Sequence, residues 1–270
     1  MANPKMMKFD LAIPALAALA FLPFSAAHAG EESFFSSKHI SYIEEEPLVP
    51  YEAGRGLITL EGPSGLFISP TSATLPEGAF TAQYCVFFPN HDTVVGHGAL
   101  LAYGVSDWLE VGGVGNYVNV PGDNILNGGP FARVRLLKHD GIIPQVGVGG
   151  YAKFGDNENY GSFAAAYWRI PIDENGFLKA IGIHAGARYN WFDADIDDQF
   201  RGYGGLEFQL PLRIYLVGEI STKDDADADV PYAFGLQWRA GLVNISVAGI
   251  QNGNLDEPSF YFGIGTALSF

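Results

Sequence analysis

The feature that most constrains this chain is a period of two in its apolar side chains, repeated in segments of about ten residues. The final segment, 259–270, carries large apolar side chains at most even positions and small or polar ones at most odd positions. Residues 181–191, 212–221 and 232–239 alternate in the same way. Such alternation puts apolar and polar side chains on opposite faces of a β-strand. Because globular strands average only about five or six residues, segments of this length favour strands that cross a membrane.

A soluble β-sandwich also alternates, so the composition of the polar faces decides between the two folds. In a sandwich the polar face meets water. Here the polar faces are rich in Gly, Tyr and Arg, which suits the crowded interior of a barrel. Disorder is excluded, since aromatic residues make up 14% of the chain and charged residues only 17%.

The whole chain contains twelve such segments, and single-chain bacterial barrels have an even number of strands. We therefore predict an all-β fold, an antiparallel transmembrane up-and-down β-barrel of about 12 strands with a periplasmic N-terminal extension. The predicted strands are 79–88, 97–105, 108–118, 129–138, 143–154, 161–170, 179–191, 201–210, 212–221, 232–239, 242–250 and 259–270.

The connections between these strands alternate in length, which is typical of barrels in the outer membrane of Gram-negative bacteria. Five connections are mostly tight. In such a barrel the end with the tight connections faces the periplasm, and both termini lie there as well. The six other connections are mostly longer and polar, and we predict them to be outer loops: 89–96, 119–128, 155–160, 192–200, 222–231 and 251–258.

The N-terminus predicts export. Lys5 and Lys8 precede a mostly apolar stretch, and residues 27–29 read Ala-His-Ala, a small-residue cleavage site. We expect a signal peptide at 1–29, an N-terminal extension or plug at 30–78, and the barrel at 79–270. Beyond the signal peptide no run of eighteen apolar residues occurs, so the sequence offers no transmembrane helix.

Charged residues separate between the predicted loops and the predicted barrel interior. The six outer loops hold 14 acids against one base, Lys223. The inward faces hold mostly bases, with a balance of +4. Buried charges need partners, so the interior is either a salt-bridged wall or a constriction that attracts anions. The predicted lumen-lining residues are Glu110, Arg133, Arg135, Lys153, Arg169, His184, Arg188, Glu207, Arg213, Glu219 and Arg239.

The extension 30–78 carries eight acids and two bases, a net charge of −6. The extension and the predicted lumen carry opposite charges, and their attraction in a low dielectric favours insertion of the extension. A twelve-stranded barrel is wider than an eight-stranded one, so it has room for such a segment. We therefore expect part of 40–78 to plug the barrel mouth. A disordered periplasmic tail at 31–55 is the competing expectation.

The C-terminal residues Gly265, Leu268 and Phe270 end the chain on an aromatic residue. This ending resembles the β-signal of outer-membrane proteins and implies recognition by the barrel-assembly machinery. We expect these three residues to act as the membrane-assembly signal.

Residues 56–78 carry a resemblance to a known family. The stretch Gly65-Leu66-Phe67-Ile68-Ser69-Pro70-Thr71-Ser72-Ala73, followed by Leu75-Pro76-Glu77-Gly78, resembles the entry motif of YjbH-like outer-membrane proteins. Those proteins are exported barrels linked to exopolysaccharide production. The resemblance implies a structural or accessory component of surface polysaccharide export, with polysaccharide export components as partners.

Two acidic runs suggest weak binding of divalent cations that bridge lipopolysaccharide phosphates, although neither run has the glycine and distal Glu of an EF-hand. A solvated loop is the alternative. The candidate ligands are Asp193, Asp195, Asp197, Asp225, Asp227 and Asp229.

The sequence also limits the other functional classes. The net charge of −15 argues against unaided nucleic-acid binding. No catalytic constellation or cofactor fingerprint occurs, so we predict no cofactor and no enzyme, with a lipid-modifying hydrolase as the least favoured reading. A small solute channel of porin type is the alternative to polysaccharide export. In either case outer-membrane lipid and lipopolysaccharide surround the barrel.

Overall fold

The structure is a computed structural model, and it describes residues 54–60, 62–88, 94–156, 158–192, 198–223, 228–240, 242–253 and 258–269. These residues form fourteen β-strands and one short 3-10 helix, Pro211–Arg213. The strands are β1 Leu57–Ile58, β2 Ser64–Gly65, β3 Ala79–Phe88, β4 Val95–Ser106, β5 Leu109–Val120, β6 Asp123–Leu137, β7 Gln145–Gly155, β8 Asn159–Pro171, β9 Ala180–Phe192, β10 Gln199–Gln209, β11 Ile214–Ser221, β12 Tyr232–Arg239, β13 Asn244–Gln251 and β14 Ser259–Ser269.

Strands β3 to β14 form a closed antiparallel barrel of twelve strands. Each strand pairs with the next one along the chain, and β14 closes the barrel against β3 with Ser269 opposite Ala79. Closure leaves no unpaired strand edge. The predicted all-β barrel of about twelve strands is confirmed. Within the described ranges, no helix is both long enough and apolar enough to cross a membrane.

One predicted loop is wrong. Residues 119–128 belong to a tight hairpin, because β5 extends to Val120 and β6 begins at Asp123. Only Pro121 and Gly122 lie between them, and Gly122 has a φ of +90°. Proline followed by a glycine with positive φ makes a two-residue turn, and the alternation continues through both strands.

The two ends of the barrel differ. At the end we call the turn end, three of the five connections have two to four residues, such as the one between Ser106 and Leu109, and the other two, 138–144 and 172–179, have seven and eight. The first barrel residue, Ala79, and Ser269 also lie at this end. At the opposite end, the loop end, most connections are longer, such as the one between Ser221 and Tyr232.

The outer surface of the barrel is apolar. In β12, the four residues at even positions from Tyr232 to Trp238 are large apolar side chains that are 42–60% exposed. The residues at odd positions between them point inward and are buried. An apolar surface that runs around a whole barrel matches lipid rather than water.

Aromatic side chains lie at both rims of this apolar surface. Trp168 and Trp238 donate their indole N–H groups to the carbonyls of Ile142 and Leu212, which belong to turns. Two such rings are typical of a barrel whose rims lie at the membrane–water interfaces. The exposed aromatic residues at the rims are Tyr103, Trp108, Trp168, Phe177 and Trp238 toward the turn end, and Phe88, Phe154, Tyr160, Trp191, Phe200, Tyr232 and Phe260 toward the loop end.

The hydrophobic core lies inside the barrel. It joins inward-facing residues of the strands, such as Val217 and Tyr261, to residues that precede β3, such as Ile58, Phe67 and Leu75. The described stretch before β3 is therefore part of the barrel interior.

We expect Leu236→Arg to destabilise the barrel in lipid by about 2–4 kcal/mol, because it puts a guanidinium in the middle of the apolar band. Leu236 pairs with Leu216 and Val247, which are both aliphatic. The matched change Tyr232→Arg, at the loop end of the same strand, should cost only about 0–1 kcal/mol. Denaturant unfolding in phospholipid vesicles measures both. Equal losses would show that this face does not contact lipid.

Candidate functional site

Residues 54–60 and 62–76, which we call the lumen segment, occupy the interior of the barrel. All of them are buried except Leu60 and Pro76, which are half-buried. The segment turns back on itself, since β1 and β2 pair with Leu57 opposite Gly65. It then leads directly into β3 at the turn end, where the backbone N–H of Gly78 donates to the carbonyl of Gly104.

Two carboxylates of the barrel wall accept hydrogen bonds from the segment. Glu219 accepts from the backbone N–H of Phe67 at 3.2 Å and of Ile68 at 2.8 Å. Glu110 accepts from the backbone N–H of Leu75 at 2.7 Å and forms an ion pair with Arg55 at 3.0 Å. Both carboxylates thus hold the segment at places far apart along its path.

Donors of the wall bind carbonyl groups of the segment. Arg133 donates to the carbonyls of Ser64 and Ala73 and to the Ser64 hydroxyl. Tyr203 donates to Pro70 at 2.8 Å, and Gln237 donates to Leu66 at 2.6 Å. Further donations run from Arg188 to Ile68 and from Tyr261 to Ile58.

Inward-facing glycines make room for the segment. A Cβ atom on Gly104 would lie 2.0 Å from the Pro76 carbonyl oxygen. A Cβ atom on Gly147 would lie 2.6 Å from the Ser72 carbonyl oxygen, and one on Gly205 would lie 2.6 Å from Leu66 Cδ1. These positions therefore need glycine because the segment contacts the wall there.

A second polar cluster lies on the wall toward the turn end. Arg239 pairs with Glu207 at 2.5 Å and lies 4.0 Å over the ring of Tyr215. His184 Nε2 is 3.9 Å from the same Glu207 carboxylate. The His184 ring also packs against Tyr167, with centroids 4.7 Å apart. This cluster borders the place where the segment enters, since the Tyr167 ring leaves no room for a side chain on Gly54.

The predicted lumen residues fall into three groups. Four of them contact the lumen segment: Glu110, Arg133, Arg188 and Glu219. Three form the turn-end cluster: His184, Glu207 and Arg239.

The other four make different contacts. Lys153 is buried toward the loop end, and its Nζ donates at 3.0 Å to the Asn116 amide oxygen in the orientation that satisfies both neighbours. Arg169 donates to Gln209 at 3.2 Å, and Arg213 donates to the carbonyl of Ala240 at 3.2 Å. Arg135 is half-buried near the turn end.

Two buried arginines were missed by the sequence reasoning. Arg201 is 6% exposed and lies on the inward face of β10. The period of two reveals it, because Arg201 is six residues before Glu207, which was predicted to face inward. Arg55 precedes every predicted barrel strand, and no pattern in the sequence pairs it with Glu110.

The expected attraction between an acidic plug and a basic lumen does not hold for the described residues. Within the lumen segment the charged residue is Arg55, and Glu77 is exposed just beyond it. The basic side chains of the wall bind backbone carbonyls instead, whose oxygens carry partial negative charge. Hydrogen bonding to the backbone therefore takes the place of the expected charge pairing. Residues 40–53 lie outside the described ranges.

Only some residues of the other predicted sites lie within the described ranges. Gly265 faces inward beside Gln83, and Leu268 pairs with Phe80. Phe270 lies outside the described residues, as do Asp193, Asp195, Asp197, Asp225 and Asp227. Asp229 is described, and its backbone N–H donates to Gly253. The described residues contain no group of three or more His, Cys, Asp or Glu side chains placed to hold a metal.

Comparison with family models gives no match, and comparison with curated protein sequences gives none either. Among solved structures, the chain is similar to "KdgM porin" with a TM-score of 0.55 and 10% identity, over 70% of this chain and 99% of that one. It is also similar to "KdgM porin in complex with disordered oligogalacturonate", with a TM-score of 0.52 and 9% identity over 71% and 99%. Identities this low show a shared barrel fold.

We expect Gly147→Val to push the lumen segment out of place, because the new side chain meets the backbone of Ser72. Trypsin cleavage after Arg55 measures this, since Arg55 is fully buried while the segment is in place. The variant should be cut in the folded barrel under conditions in which the parent protein is intact. Gly249→Val is the matched control, because nothing lies within 4 Å of a Cβ atom at Gly249. Equal protection of both variants would contradict the described packing.

Proposed function

We propose that this protein is an outer-membrane channel for small anionic solutes, and that the lumen segment closes it. The observation that carries this proposal is how the lumen is filled. A separate stretch of chain fills it, held at its backbone by polar side chains of at least six strands: Glu110, Arg133, Tyr203, Glu219, Gln237 and Tyr261.

When the segment leaves the wall, water replaces its hydrogen bonds. Each of these bonds contributes about 0.5–1.5 kcal/mol net, or about 1.5–3 kcal/mol where a charged group takes part. The segment is joined to the barrel through β3 at its C-terminal end, so it can move without strand pairing being broken. A solute path then opens along the polar inward faces.

The charge of the interior favours anions. Among the described residues, the buried bases are Arg55, Arg133, Lys153, Arg188, Arg201 and Arg239, and the buried acids are Glu110, Glu207 and Glu219. Arg55 leaves with the lumen segment, so the wall itself holds five bases against three acids, a balance of +2. The acidic outer loops repel anions only at short range, because salt screens exposed charges within about 8 Å. The similar KdgM porin has been solved with oligogalacturonate.

The predicted signal peptide, the apolar outer face and the two aromatic rims support an outer-membrane location. We place the turn end and both termini in the periplasm and the loop end toward lipopolysaccharide, as outer-membrane barrels have their short turns in the periplasm. Insertion by the barrel-assembly machinery, through Gly265, Leu268 and Phe270, belongs to the same proposal.

A role as an accessory barrel of surface polysaccharide export is the second candidate. One observation favours it: residues 56–78, which resemble the YjbH-like motif, are largely the lumen segment itself. A barrel with an accessory role needs no pore, so conductance separates the two candidates.

We expect Glu110→Gln to raise the open probability of the channel at least tenfold in planar bilayers. The substitution removes the carboxylate that faces Arg55 in the closed state, and loss of one partner of a buried ion pair costs about 3–5 kcal/mol. Arg55 reaches water when the segment leaves, so the substitution destabilises the closed state more than the open state. In a KCl gradient the reversal potential should show preference for chloride.

Lys223→Gln, a change in an exposed outer loop, is the control and should leave conductance unchanged. Heat-modifiable migration on a gel checks that each variant is folded. A folded Glu110→Gln barrel that does not conduct would overturn the channel and favour the accessory role, and preference for potassium would overturn the choice of anions.

A further inference from the structure

A cavity of about 440 Å³ lies inside the barrel toward the loop end. The loop-end halves of several strands line it, and Leu60 and Ile68 of the lumen segment contribute to the lining as well. Ligand pockets in proteins have volumes of about 300–1,000 Å³, and an apolar cavity of about 150 Å³ is enough to hold benzene. The space is therefore large enough for a small organic molecule.

The barrel wall places apolar side chains on inward faces at this cavity. They are Phe87 of β3, Val118 of β5 and Phe192 of β9, and all three are half-buried. The inward faces of an outer-membrane barrel are typically polar, so these residues depart from the pattern. Together with Leu60 and Ile68 they give the cavity an apolar surface.

Several polar side chains of the lining already have partners. Arg201 and Asn252 each interact with another group. The Asn116 amide, in the orientation that satisfies both neighbours, donates to the carbonyl of Gly115 and accepts from Lys153. A ligand is therefore not needed to satisfy these three side chains, and the apolar surface decides which molecule fits. A charged molecule would have to give up its hydration without gaining an open partner among them.

The cavity reaches the backbone of the wall at Gly96. In the strand register Gly96 lies between Phe87 and Val118, and it lines the cavity with them. A Cβ atom at Gly96 would meet the nearest atom of Phe87 at 3.5 Å, which is an ordinary van der Waals contact. A larger side chain at this position would therefore extend into the cavity rather than into the wall.

We propose that this cavity is a binding site for one small neutral molecule with an aromatic or alicyclic body. Burial of apolar surface drives the binding. The proposal goes beyond the proposed function and does not depend on conduction, since it requires only that the lumen segment lies in the closed barrel. Because that segment supplies Leu60 and Ile68, an occupied cavity stabilises the closed state.

The test uses the full-length protein in detergent and two probes of similar size, the neutral fluorobenzene and the anion 4-fluorobenzoate. Fluorine NMR should show a bound fluorobenzene signal that saturates at one equivalent and differs from the signal of the probe in micelles. The Kd of fluorobenzene should be at least tenfold lower than that of 4-fluorobenzoate. At ten times its Kd, fluorobenzene should slow the hydrogen exchange of a peptide covering 62–76 about tenfold.

Three variants locate the site. Gly96→Leu should abolish the bound signal, because the new side chain fills the cavity. Gly249→Leu is the matched control and should bind as the parent does, because Gly249 has nothing within 4 Å of a Cβ atom. Leu60→Ala should raise the Kd of fluorobenzene about fivefold, since apolar contact from the lumen segment is lost.

Several results would overturn the proposal. A signal that does not saturate, or one that persists in Gly96→Leu, would indicate partition into micelles only. Binding of 4-fluorobenzoate as tight as that of fluorobenzene would indicate a charged site, and unchanged exchange of 62–76 would show that the segment is not part of the site. If Gly96→Leu lacks heat-modifiable migration and so is not folded, saturation and the two probes on the parent protein decide. A barrel that binds fluorobenzene but does not conduct would keep the site and reject the channel.

Discussion

A segment that passes through the inside of a barrel stays there only if its backbone N–H and C=O groups find partners, and the rest of this structure depends on that requirement. The segment satisfies some of these groups itself, through the pairing of β1 with β2 and through backbone hydrogen bonds such as those from Leu60 to Phe67 and from Leu66 to Ser69. The wall supplies further partners. Glu110 and Glu219 accept from its N–H groups, while Arg133, Tyr203 and Gln237 donate to its carbonyls. The inward-facing polar residues of distant strands are thus matched to one short stretch of chain.

The same requirement accounts for the residues that carry the family resemblance in 56–78. A Cβ atom on Gly65 would lie 2.1 Å from the Ser69 carbonyl oxygen, so the reversal of the segment needs glycine. The carbonyls of Pro70 and Ala73 accept from Tyr203 and Arg133. Gly78 has a φ of +75° where the chain turns into β3. The residues of the motif therefore provide the backbone conformations and the carbonyl acceptors that fit a barrel interior.

Strand number and the faces of the strands are predictable from the sequence, because lipid outside and polar groups inside impose strict alternation. The alternation in β12 assigns every side chain correctly, with Gln237 inward and Leu236 outward. Backbone acceptors leave no trace in a sequence, so the Arg133 contacts could not be predicted. Arg55 pairs with the side chain of Glu110, 55 residues away, and no pattern in the sequence links the two. The loop predicted at 119–128 is a two-residue turn, because turn residues look alike whether two or ten residues connect the strands.

The central claim is that the lumen segment lies inside the closed barrel, and hydrogen exchange tests it most directly. Mass spectrometry of the full-length protein in lipid nanodiscs would follow a peptide covering 62–76 beside one covering β12. The N–H groups of Phe67, Ile68 and Leu75 are bound to buried carboxylates, so the account predicts exchange of the first peptide as slow as that of the barrel strand. Complete exchange of 62–76 within seconds, with β12 still protected, would contradict it.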